Sequence, residues 1–169
     1  MELETERLLL RPLRPHDIAY VVALWSDPDV TRFLGGPRDP EKVRAVLKEE
    51  LEAPPPGPYG QWPLIEKASG AVIGDCGLVE KEIAGQAEIE LVYALSSTVW
   101  GHGYATEIGG ALLRFAFEEL GLRRLVSLID TDNAASRHVA HKLGMRCESL
   151  VRRPDGIDRE LWVIRSDGT

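Results

Sequence analysis

The stretch Leu95-Ser96-Ser97-Thr98-Val99-Trp100-Gly101-His102-Gly103-Tyr104-Ala105-Thr106 sets two glycines directly ahead of a run with helical periodicity, in which Ala105, Ile108, Leu112 and Phe115 share one face. The first four amides of a helix have no internal partners, and the macrodipole places roughly half a positive charge beside them, so a phosphate is well received there. Gly101 and Gly103 carry no Cβ to obstruct an anion and can adopt positive φ. A diphosphate is the natural ligand of such a turn. Two other phosphate-binding patterns compete. A Walker A loop requires Gly-Lys-Ser/Thr, and no Lys follows these glycines. The dinucleotide pattern is met by Gly101, Gly103 and Asp130, but Thr106 stands at its third glycine and Ser96 to Trp100 separate strand from turn. Binding of a nicotinamide dinucleotide is therefore the secondary expectation.

Glu88 and Glu90 alternate along a strand pattern, so both carboxylates face the same way and can exchange protons with a group on that side. Asn133 stands where a helix begins and suits an N-cap, with Ser136 three residues on. His138 and His141 follow on that helix, with Asp130 and Asp132 upstream, but no open coordination geometry is implied and no metal is expected. Cys76 and Cys147 lie in apolar segments and read as small buried hydrophobes.

The elements that must hold these groups follow from periodicity. A strand opens at Leu8 to Leu13. A helix from Asp17 buries Ile18, Val21, Val22 and Trp25 and ends at Asp27-Pro28-Asp29. A second, capped by Asp39 and started by Pro40, turns Val43, Val46, Leu47 and Leu51 inward. Pro54-Pro55-Pro56-Gly57-Pro58 forms an extended surface loop. A meander follows: strands at Trp62 to Glu66, Ala71 to Leu78 and Ala87 to Leu95, the first pair joined at Ala68-Ser69-Gly70. Next come a helix from Gly103 to Leu120, a strand at Leu125 to Ile129 and a helix from Asn133 to Leu143, with Gly121 and Gly144 as left-handed stops. Strands at Cys147 to Arg152 and Leu161 to Ile164, joined by a turn at Pro154-Asp155-Gly156, end the pattern. The crossover helix puts the strand at 125–129 parallel to its predecessor, giving an α/β sandwich on one sheet.

At 169 residues the chain fits one domain, since cores divide beyond roughly 250 residues. With 44% hydrophobic and 28% charged residues it lies well away from disorder. The net charge of −7 argues against nucleic acid as a partner and suits an amine or cation. An acidic start and no long apolar run point to a cytoplasmic protein with no membrane association.

Taken together, Trp100-Gly-His-Gly-Tyr-Ala, Asp132-Asn133-Ala-Ala-Ser136 and Lys142-Leu-Gly-Met145 resemble the GNAT superfamily, in particular its RimJ/RimL branch of ribosomal-protein N-terminal acetyltransferases. Thr5-Glu-Arg-Leu-Leu-Leu-Arg-Pro12, Ile73-Gly74 and Glu90-Leu-Val-Tyr93 extend the likeness along nearly the whole chain. The resemblance implies one N-acetyltransferase domain over 1–169, with a splayed, mixed but mostly antiparallel sheet and acetyl-CoA wedged between the strands at 87–95 and 125–129. It implies pyrophosphate contacts from the backbone of Trp100, Gly101, His102, Gly103, Tyr104, Ala105 and Thr106. Pantetheine would pair with main-chain groups of Tyr93, Ala94, Leu95 and Ser96, an amide near Tyr93 or Ala94 would polarise the thioester, and Asn133 would bind cofactor through its side chain. Glu90 is the expected base. Many members place a Tyr acid where this chain has Ala140, so Ser136 is the expected group at the leaving sulfur. Arg32, Phe33, Trp62, Glu66 and Asp158 are candidates for lining the acceptor pocket. The expected reaction is acetyl transfer to a primary amine, on a protein N-terminus or a small molecule, without a metal. A module that binds acetyl-CoA without turnover is the alternative.

Overall fold

A computed structural model describes residues 2–53, 57–152 and 156–166. The loop expected at Pro54-Pro55-Pro56 and the turn at Pro154-Asp155 lie outside them.

Eight strands form one sheet: β1 (Leu3–Glu4), β2 (Leu8–Leu10), β3 (Gly60–Glu66), β4 (Val72–Ile83), β5 (Gln86–Leu95), β6 (Arg124–Asp130), β7 (Arg146–Arg152) and β8 (Asp158–Arg165). Their order is β1-β2-β3-β4-β5-β6-β8-β7, antiparallel at every step except β5 to β6. Helices α1 (Ile18–Ser26), α2 (Pro28–Thr31) and α3 (Pro40–Glu52) share one face, while α4 (Tyr104–Arg114) and α5 (Ala134–Lys142) cover the other. Alternation assigns the strand residues: Cys76, Leu78, Leu91 and Leu95 join Ile108 and Leu112 beneath α4, whereas Ala94 packs with Val21, Trp25 and Leu47.

Several sequence expectations change in detail. The opening strand stops at Leu10. The second strand of the meander continues past Leu78 to Ile83, because Ala84 and Gly85 (φ 50° and 78°) make the two-residue turn that lets β5 pair back along its whole length. Asp27 does end α1, and its carboxylate then accepts the Asp29 amide at 2.8 Å to start α2. In α3, Leu47 is buried and Val43 and Leu51 pack beside it, but Val46 is 60% exposed. It sits one residue, about 100°, off the i, i+4 stripe of Val43 and Leu47. The helix predicted over 103–120 is α-helical only to Arg114 and widens into a π turn at Phe115–Glu119, closed by the Leu120 amide on Phe115 O. Cys147 is exposed on the edge strand β7, contrary to the buried expectation, while Cys76 is buried.

A buried ion pair fixes the passage from β2 to α1. Asp17 accepts both Arg11 guanidinium nitrogens (2.7 and 3.1 Å) and the Arg14 amide (2.8 Å). Burial works to raise the Asp17 pKa, but these bonds and the charges of Arg11 and His16 outweigh it and hold the carboxyl below its ordinary value. Its contribution to stability is therefore present at neutral pH and is lost as acid takes the pH down through the lowered folded pKa. Asp17→Ala, which strands the buried Arg11 charge, is expected to destabilise the fold by about 3–5 kcal/mol in urea unfolding at pH 7.

Candidate active site

The α4 turn has the geometry of an anion cradle. Gly103, at φ +80°, is the N-cap, and the first amide bonded back along the helix is that of Glu107, to Gly103 O at 3.0 Å. The amides of residues 103 to 106 precede it and project from the helix end. Gly101 also has φ +80°, so both glycines occupy the left-handed region. Flanking side chains hold the loop. His102 Nδ1 lies 3.1 Å from both Val99 O and Trp100 O, and the Trp100 indole N–H donates to Leu95 O at 2.9 Å. Arg7 donates to His102 O at 3.0 Å, lies over the Tyr104 ring at 4.5 Å and pairs with Glu107; the Tyr104 hydroxyl donates to Glu66 at 2.6 Å. Burial works to raise the Glu107 pKa, yet the bonds from Thr5 and Arg7 hold its carboxyl low, which suits its place in the first turn of a helix. Sequence reasoning missed this bracing. Its signal was the Thr5 to Arg7 motif, whose partners lie about a hundred residues away.

Beside the cradle the sheet opens. The β5–β6 ladder has one register pair, Glu90 with Val126. Beyond it side chains replace backbone bonds: Ser127 Oγ donates to Leu91 O at 2.8 Å, and the Leu128 amide donates to the Glu90 carboxylate at 3.1 Å. The Ser96 amide donates to Ile73 O at 2.8 Å, so even-numbered residues of this run address β4, while Leu91, Tyr93 and Leu95 turn their main-chain groups toward the opening. This corrects part of the expected contact set, since the peptide groups of Ala94 and Ser96 belong to the β4 ladder. Between the two, Tyr93 is the residue whose amide faces the cleft.

The cleft is narrow, about 60 Å³, lined by Glu90, Tyr93, Asp130, Asn133 and Ser136 together with Phe33 and Leu34. Its walls are tied by the Ser127 bond and by the Tyr93 hydroxyl, which donates to Ser136 O at 3.3 Å. Burial is the main cause that pushes the Tyr93 hydroxyl up to about 12, so it stays protonated. Glu90 is 5% exposed, and its second oxygen receives Lys81 Nζ at 2.5 Å. Glu88, on the same face, pairs instead with Arg124. Asn133 Oδ1 accepts the Ser136 amide at 3.1 Å, so that oxygen caps α5 and the side-chain NH2 is the group it can offer a ligand.

The residues proposed for an acceptor pocket do not converge. Phe33 lines the cleft, with Arg32 over its ring at 5.1 Å. Trp62 borders a separate cavity, Glu66 serves the cradle, and Asp158 pairs with Arg152 at 3.5 Å in the terminal hairpin. That separate cavity, about 540 Å³ between α1, α3, β3 and β4, is far larger than the cleft. On its wall Asp75, 7% exposed, accepts the Trp25 indole N–H at 2.7 Å. Burial raises the Asp75 carboxyl to about 6, and the Glu50 charge adds to the effect. A raised folded pKa gives stability that is present below the ordinary value near 3.8 and lost as pH rises through about 6. Asp75→Asn, which keeps an acceptor for Trp25, is therefore expected to stabilise the protein at pH 7.5 by about 3 kcal/mol, two pKa units at 1.36 each. The gain should vanish near pH 4 in parallel urea titrations.

Residues 7–146 match the acetyltransferase (GNAT) domain family, and the chain belongs to it. It is 30% identical over 154 residues to the uncharacterized N-acetyltransferase p20 of Bacillus licheniformis, covering 89% of this chain and 85% of that protein. An acetyltransferase from Agrobacterium tumefaciens superposes with a TM-score of 0.81 at 30% identity, over 98% and 95% of the two chains. One from Bacillus anthracis, of the GNAT family, superposes at 0.83 with 24% identity over 99% of each. Family and fold thus agree with the resemblance at the level of the GNAT superfamily, to whose acetyltransferases the chain belongs. No helix among the described residues is long and apolar enough to cross a membrane.

Proposed function

We propose that residues 1–169 act as one domain that transfers the acetyl group of acetyl-CoA to a primary amine, with Glu90 as the base. One observation carries the reading: β5, whose ladder with β6 has a single register pair, leads through a short loop into the left-handed glycine turn that starts α4. Pantetheine has two amides that need strand-like partners, and Leu91, Tyr93 and Leu95 face the opening. The pyrophosphate goes to the amides between Trp100 and Thr106. Asn133 adds a side-chain contact.

The Tyr93 amide polarises the thioester carbonyl and receives the developing oxyanion. The acceptor enters at Phe33 and Leu34, on the face that carries Glu90. Glu90 takes, through water, the proton that the acceptor ammonium must lose before it can attack; the freed nitrogen adds to the carbonyl carbon, and as the oxyanion collapses the C–S bond breaks and the extra proton on that nitrogen passes to the departing sulfur. The departing sulfur leaves toward Ser136, whose hydroxyl donates a hydrogen bond. The Tyr93 hydroxyl beside it, on giving up its bond to Ser136 O, becomes a second donor that the sequence did not suggest. The opening motif and the Asn-x-x-Ser pattern favour the RimJ/RimL type and thus an N-terminal α-amine.

The test is calorimetric titration with acetyl-CoA, followed by transfer assays on a peptide with a free N-terminus, a polyamine and an amino sugar. Saturable binding with transfer to one of them is expected. Binding without transfer to any would favour a non-catalytic acetyl-CoA module. Affinity for a nicotinamide dinucleotide in place of acetyl-CoA would overturn the reading.

A further inference from the structure

We infer that the 540 Å³ cavity between α1, α3, β3 and β4 is a second ligand site, built for an organic ammonium on an apolar or aromatic body and anchored by Asp75. It does not rest on the acetyl-transfer reading. Among the described residues the cavity and the cleft share no lining residue. They flank β5 from opposite sides: Asp75 lies on β4, across the ladder from Ala94, whereas the cleft opens toward β6.

The volume lies within the roughly 300–1,000 Å³ of small-molecule pockets. Its walls are largely apolar, with Val21, Val43, Leu47 and the Trp25 ring prominent. Into this surface the fold places the carboxylate of Asp75, more than nine-tenths buried. Its hydrogen bond among the described residues is the one from the Trp25 indole. A buried carboxylate in apolar surroundings is costly unless a cation joins it. The cavity also bears Glu50, and its cations are Arg38 and Lys42, with Asp39 as a further acid. The Arg38 guanidinium is engaged over the Trp25 ring, 3.6 Å from the centroid. Among the described residues neither Asp75 nor Glu50 has a cationic nitrogen within 4.0 Å. The Glu50 and Arg38 charges act on Asp75 in opposite senses. Gln61, on the same wall, keeps its side-chain nitrogen buried without a hydrogen-bond partner, a donor that a ligand can meet. An ammonium therefore completes Asp75 and Glu50, the apolar walls take its body, and a neutral or anionic analogue is rejected.

The experiment is calorimetric titration of the full chain with phenethylammonium chloride and with its neutral counterpart, 2-phenylethanol. Runs are made on the free protein and on protein saturated with coenzyme A, so acetyl transfer plays no part. The expected result is saturable ammonium binding that coenzyme A leaves unchanged, with the alcohol at least tenfold weaker. Asp75→Asn should weaken ammonium binding at least tenfold and Glu50→Gln severalfold, while Glu90→Gln leaves it as it is. Glu50, which is only partly buried, gives a second variant, and unfolding midpoints are recorded for all three. Absence of saturable binding, equal affinity for the alcohol, or indifference to both Asp75→Asn and Glu50→Gln would overturn the site. Displacement by coenzyme A, or loss in Glu90→Gln, would place the amine in the cleft and also defeat it.

Discussion

Glu90→Gln is expected to lower kcat by about 10²- to 10⁴-fold, the usual worth of general base catalysis, while the Kd for acetyl-CoA changes by no more than about twofold. The separation follows from what the side chain touches. One Glu90 oxygen accepts the Leu128 amide and the other meets Lys81, and an amide oxygen can still take the first of these bonds. The strand junction is thereby kept, and Lys81, about one-third exposed, is left with water. What disappears is the ability to hold the proton that the ammonium must release. The loss should therefore fall on kcat. A kcat within a few-fold of wild type would remove Glu90 from the mechanism and reduce it to a strand clamp.

Gly103→Trp is expected to weaken acetyl-CoA binding at least about 100-fold, or roughly 2.8 kcal/mol, in the same calorimetric assay. Two effects act together. At φ +80° any residue with a Cβ is strained, by about 1–2 kcal/mol. The added Cβ also arrives 3.6 Å from Arg7 Nη2, so an indole must either displace the arginine that holds His102 O or lie across the amides of residues 103 to 106. Unchanged affinity in a variant with a native unfolding transition would mean that the pyrophosphate sits elsewhere.

The sequence made the phosphate turn legible because its requirement is local: two left-handed glycines before an amphipathic helix specify both backbone and ligand. The same holds for the Asp39 cap, the glycine stops at 121 and 144, and the parallel step of β6. Val46 was misread because a valine one position off a helical stripe looks apolar in sequence whichever way it points. Cys147 was misread because an apolar run does not reveal that its strand lies at an edge. Which peptide groups of β5 face the cleft depends on pairing parity, and a single bond, Ser96 to Ile73, decides it. The Arg7–Glu107 brace and the Trp25–Asp75 contact join residues 100 and 50 positions apart, a separation over which periodicity carries no information.

The lone register pair between β5 and β6 also matters for mechanics. On one side β3 to β5, and on the other β6, β8 and β7, are each stitched by long antiparallel ladders, whereas the line between them is held by Glu90, Val126 and a few side-chain bonds. The sheet is thus two stiff plates joined by a flexible seam, and bending concentrates there. A ligand strand laid into that seam acts as a splint, so amide protons of Leu91 to Leu95 and Ser127 to Asp130 should be the ones whose exchange slows most when acetyl-CoA is bound.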